Sequence, residues 1–183
     1  MMNFTLKKVW VGMILLLLLP CLAQAQRVAV KTNALLWGNL TPNLSVELVS
    51  SKRVSLEGNV FYSLNNTPTD CRLKGAEAEV RYWLSGRAMT QLFVGLSVTG
   101  TQYVVTTGGK MRHDGDAGGP GVVIGYDLPL GTHWNLEFAA GAGALWFREK
   151  QYNIATDNSK LPYNASGCKF MPTKLAVAVA YVF

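Results

Sequence analysis

The chain has 183 residues, of which 49% are hydrophobic and only 15% charged, with a formal net charge of +6 at pH 7. No run of basic residues is longer than two, which argues against nucleic acid as a partner. Three scattered cysteines and two histidines supply neither a zinc-ligand spacing nor a phosphate-binding loop, so no metal and no cofactor is expected.

Residues 1–25 read as a signal peptide. Lys7 and Lys8 form its positive end, an apolar run covers 9–19, and Ala23-Gln24-Ala25 is a small-x-small cleavage site. The run is shorter than the roughly 20 residues of a membrane-spanning helix. Cys21 raises lipid attachment as a rival, but Pro20 stands before it where a small residue is wanted. The remaining 26–183 then form a single domain.

From Val28 onward the hydrophobic period is close to two. Val28, Val30, Thr32, Ala34 and Leu36 oppose Lys31 and Asn33; Leu44, Val46 and Leu48 oppose Ser45 and Glu47. Val54, Leu56, Val60 and Tyr62 oppose Ser55, Glu57 and Asn59; Ala76, Ala78, Val80, Tyr82 and Leu84 oppose Glu77, Glu79 and Arg81. Further segments cover about 90–104, 121–128 and 133–147. In the last segment Leu175, Val177, Val179, Tyr181 and Phe183 share one face, and Ala176, Ala178, Ala180 and Val182 the other. Each segment is near the roughly 9–11 residues of a tilted membrane strand. The pattern predicts an all-β fold, an eight-stranded antiparallel up-and-down β-barrel of the outer-membrane type. Tight turns are expected at 51–53, 85–88 and 129–132, and long outer loops at 64–74, 106–119 and 148–172.

The face assignment follows from polarity. The apolar faces are continuous and the opposite faces mix both signs of charge with small residues, which suits lipid outside and a polar lumen. The C-terminal lipid face is then Leu175, Val177, Val179, Tyr181 and Phe183, and its row of alanines implies a narrow interior. Aromatic residues gather toward two rims, Trp37, Phe61, Tyr62, Tyr103, Trp146 and Phe147 at one, and Tyr82, Trp83, Tyr126, Trp134, Tyr181 and Phe183 at the other. An aromatic-rich soluble sandwich or barrel is the rival architecture.

The lumen candidates are Lys31, Glu47, Glu57, Glu77, Glu79, Arg81, Asp127 and Glu137. Paired carboxylates invite an acid/base reading. An ion-pair packing network is the stronger one, because a buried charge needs an opposite partner. Cys71 and Cys168 fall in two different expected loops, either bridged in an oxidising compartment or left as free thiols. His113 with Asp114 or Asp116 is the one constellation resembling a rim active site or metal ligand set, and it lies in a glycine-rich stretch.

Three motifs carry a family resemblance. Lys31-Thr32-Asn33-Ala34-Leu35-Leu36, then Thr41-Pro42-Asn43-Leu44 and Val46-Glu47, resembles the opening of an uncharacterised Bacteroidetes family, the domain-of-unknown-function 3575 family. Glu79-Val80-Arg81-Tyr82-Trp83 is similar to its middle motif and Pro172-Thr173-Lys174 to its closing one, with Met171 where glycine is expected. The resemblance implies an exported barrel-like protein with no assigned activity, some of whose members accompany fimbrial genes.

The expected function is a non-enzymatic structural or surface-interaction protein of the bacterial outer membrane, an accessory to surface assembly. Its expected partners are outer-membrane lipids, the barrel-assembly machinery reading the C-terminal strand, and a surface protein. A narrow conductor or ligand-binding barrel, and a lipid A-modifying enzyme using His113, are the alternatives.

Overall fold

The computed structural model describes residues 27–64, 67–107, 110–153 and 162–183, so the expected signal peptide and Cys21 lie outside the described residues. Eight strands follow in chain order: β1 (Val28–Asn33), β2 (Asn43–Val49), β3 (Val54–Tyr62), β4 (Cys71–Trp83), β5 (Gln91–Thr107), β6 (Met111–Pro129), β7 (Trp134–Asn153) and β8 (Ala165–Val182). Each is antiparallel to its neighbours. β1 pairs with both β2 and β8, so the sheet closes on itself as a ring.

Two expectations about the strands change. The alternation read through Leu36 stops at Asn33, and Ala34–Gly38 instead forms a short helix, α1. Asn33 caps it by accepting the Leu35 amide at 3.1 Å, which diverts the chain before the apolar residues can continue the strand. The long loops also shrink. β5 and β6 run on through most of 106–119 in continuous register, from Gln91↔Asp127 to Thr107↔Met111. β7 reaches Asn153 and β8 begins at Ala165, inside the segment 148–172. These extensions pair through the backbone while their side chains are mostly polar or small, so they lack the regular apolar alternation that marks the lower strands.

Side chains alternate between a filled interior and an outward apolar face. On β8, Ala176, Ala178 and Ala180 are buried, whereas Leu175 is 68% exposed and Phe183 70%. Small interior residues there leave room for large ones opposite. The apolar core is a compact layer near the turn end, built from Trp83, Phe93, Met89, Ala88, Val123, Ala139 and Ala176. Trp83, expected at an aromatic rim, is fully buried. It stands two residues along from Arg81 and so shares its inward face, donating its indole N–H to Ser55 Oγ at 2.7 Å. Gly125 makes space for this layer, since a Cβ there would stand 2.3 Å from the Phe93 ring.

The turn between β4 and β5 folds inward beneath that layer. Met89 takes a left-handed φ of 59° and is buried, and the Ala88 amide bonds to Lys52 O at 2.8 Å. One irregularity re-aims β8. Gly141 pairs with Lys174 but Ala142 pairs with Pro172, so Thr173 is an extra residue in β8. Proline has no amide to give the ladder and is at home in such a bulge. Above the bulge the inward set switches from Lys174 and the alanines to Thr173, Met171 and Lys169.

Candidate functional site

Seven of the eight residues expected in the lumen meet in one ion-pair network across the ring. The Lys31 ammonium from β1 contacts Glu47 and Glu137, and lies 3.1 Å from Glu57. The Arg81 guanidinium from β4 reaches Glu47 at 3.0 Å, Glu57 at 2.8 Å, Glu79 at 2.8 Å and Glu137 at 2.8 Å. Arginine's planar fork allows several carboxylates to be bound at once, which a point-like ammonium does less well. Its plane also lies 4.3 Å from the Phe93 ring centroid, which seats the network on the aromatic layer.

A third cation completes the arrangement. Lys174 binds Glu77 at 2.7 Å, Glu79 at 2.6 Å and Glu57 at 3.2 Å. The sequence places it only in the closing family motif Pro172-Thr173-Lys174, although it shares the parity of Ala176, Ala178 and Ala180 and could have been placed by that signal. Glu79 lies across Gly95, where an added Cβ would stand 2.6 Å from its carboxylate oxygen. Asp127 stays apart. It accepts from Asn135 Nδ2 at 3.0 Å, and Asn135 also holds Met89 O at 3.0 Å.

Carboxylate oxygens of Glu47, Glu57 and Glu137 come within 4.8 Å of one another, a spacing that a metal ion can bridge. Lys31 and Arg81 already supply positive charge to those oxygens. The cluster is therefore a cross-brace of paired charge. Thr99 Oγ1 donates to Glu77 at 3.1 Å and closes its upper side.

Above the brace lies a second polar cluster, and it is not the one expected. His113, Asp114 and Asp116 sit on a strand, so His113 points inward with the parity of Ala117 while Asp114 and Asp116 take the other face. Asp116 accepts instead from Tyr163 at 2.8 Å. His113 Nδ1 stands 3.3 Å from Glu149, which also accepts from Tyr103 at 2.7 Å and from Gln151 Nε2 at 2.6 Å. Burial pushes the Glu149 carboxyl up, but the bonds from Gln151, Tyr103 and His113 outweigh it and hold it below the usual range. The same contact, with burial, raises the Tyr103 phenol above its ordinary value near 10.

Of the two states the sequence leaves open for Cys71 and Cys168, the structure has the free thiols and no bridge. Neither is in a loop. Cys71 lies on β4 opposite Val105, and Cys168 lies on β8 opposite Trp146. Three strands separate β4 from β8 in either direction around the ring, whereas a disulfide needs Cα atoms within about 7 Å.

A family model described as "Protein of unknown function (DUF3575)" matches residues 11–183. No curated protein and no solved structure matches the chain.

Proposed function

Because the chain belongs to this family of unknown function, its role has to come from its own geometry, and we propose that it is a non-enzymatic outer-membrane β-barrel acting as a rigid surface scaffold. Residues 1–25 are its signal peptide and 26–183 its single domain. The carrying observation is an inversion of the usual protein plan. The interior is braced by buried charge, while the outward face is apolar around the whole ring.

Leu44 and Leu56 on β2 and β3, Val80 on β4, Leu96 (68% exposed) and Val98 on β5, Val122 and Ile124 on β6, and Leu175 on β8 all face outward and exposed. A soluble monomer rarely leaves more than a few hundred Å² of contiguous apolar surface in water. A bilayer removes that cost, and a closed ring leaves no unpaired strand edge in hydrocarbon. Strands of 13 to 20 residues in β4–β8 exceed the roughly 9–11 needed to cross. Their upper ends, with His113, Tyr103 and Glu149, therefore project beyond the lipid on the side away from the termini. That projecting collar is the surface offered to a protein partner. Its polar extensions also support a role in surface assembly better than a role in the membrane plane.

Heat modifiability tests the reading. The mature protein purified in detergent should migrate differently on a gel before and after boiling, and should precipitate when detergent is removed without lipid. A protein that stays monodisperse in plain buffer with no shift would overturn it.

A further inference from the structure

The lower half of the ring is filled with side chains, as an eight-stranded barrel normally is. The upper half is not. A chamber of about 580 Å³ stands on the ion-pair brace, within the roughly 300–1,000 Å³ of small-molecule sites. Its floor is Thr99 and Thr173, beside the brace. Phe61, Leu73, Leu145, Phe147 and Met171 give it apolar walls, and the Tyr103–Glu149–His113 cluster forms one polar side.

The polar groups are not equivalent. Glu149 already accepts three hydrogen bonds from its neighbours, so its charge is spent within the wall. Lys169 is different. Its ammonium lies 4.8 Å over the Phe147 ring, and among the described residues no carboxylate pairs with it. It faces the chamber only because the Thr173 bulge switches the inward set of β8. A cation at an aromatic wall, above apolar surface, complements a molecule with an apolar body and a single negative head.

We propose that this chamber is a binding site for an anionic amphiphile, a single apolar chain ending in a carboxylate or phosphate whose head pairs with Lys169. The inference rests on the closed ring and the bulge, and goes beyond the scaffold reading. Failure of one is distinguishable from failure of the other, because heat modifiability does not depend on Lys169.

The test titrates dansylated undecanoate into the full mature chain folded in amphipol, with the heat shift as the check on folding. Wild type should bind one probe per chain, and Lys169→Met should weaken binding by about tenfold or more. Ala117→Trp, which fills the chamber from β6, should abolish it. Dodecanoate and dodecyl phosphate should both displace the probe, and the better of the two identifies the head as a fatty acid's or a lipid phosphate's. Dodecyl maltoside at matched concentration should not. No saturable binding, equal binding by all three folded proteins, or displacement by dodecyltrimethylammonium alone would each overturn the proposal.

Discussion

Arg81 is the residue on which the interior depends most directly. It alone touches four carboxylates, Glu47, Glu57, Glu79 and Glu137, at a fully buried position. Replacing it with alanine leaves those acids facing one another with only the lysines between them. Removing one partner of a buried ion pair costs about 3–5 kcal/mol. Denaturant unfolding in lipid vesicles should show a loss of that order for Arg81→Ala, partly recovered when Glu57→Gln removes one of the stranded charges. Tyr103 offers a second check at this scale. Its raised value means that the folded state keeps the phenolic proton when the unfolded chain would release it. The associated stability is therefore complete below about pH 10 and is lost as pH rises through the folded value. Glu149→Gln removes the charged acceptor, so Tyr103 should ionise nearer its ordinary pH. The difference in tyrosinate absorbance between variants with and without Tyr103→Phe would measure it, and an unchanged titration would refute the coupling.

At the level of elements, β8 carries the most consequence per residue. Deleting Thr173 would restore regular alternation without changing any partner, because Pro172 already stands opposite Ala142, so Lys169 and Met171 should stay inward and Cys168 outward. In a Cys71→Ser background, Cys168 should therefore react with a bulky maleimide as readily after the deletion as before, and a slowed reaction would refute Thr173 as the extra residue. Gly125 makes the complementary point on β6. A methyl there meets the Phe93 ring and the Phe138 carbonyl, so Gly125→Ala should cost about 1–3 kcal/mol by overpacking, read as a lowered unfolding midpoint. The same elements mark where the sequence is legible. Period-two patterning places Lys31, Glu47, Glu57, Glu79, Arg81 and Glu137 on one inner face, and their meeting follows from ring closure. At Lys174 the parity of Ala176, Ala178 and Ala180 does carry through, but the Pro-Thr pair next to it reads as loop chemistry and masks that signal. The pattern is silent at His113 and Glu149, because strands paired through their backbones beyond the apolar band need no apolar face to hold their register.

For the whole molecule, the decisive property is that the lumen is sealed twice in series. The turn-end layer packs Trp83 against Phe93 with ring centroids 4.8 Å apart, and Met89 folds in below it. The ion-pair brace lies directly above, joined to it by Arg81 stacked on Phe93. An ion crossing the barrel would have to part both, one seal being apolar and the other charged. Resistances in series are governed by the larger, so opening either alone should not conduct. Planar-bilayer recording should show no ohmic steps for wild type, for Arg81→Ala, or for Trp83→Ala. Only a variant losing both, and still showing the heat shift of a folded barrel, should pass current. Steps in the wild type would reverse the ordering of functions, making conduction primary and the outer collar its mouth. Silence in every single variant would leave the brace as what its geometry describes, a rigid floor that holds the upper strands in place and closes the chamber above it.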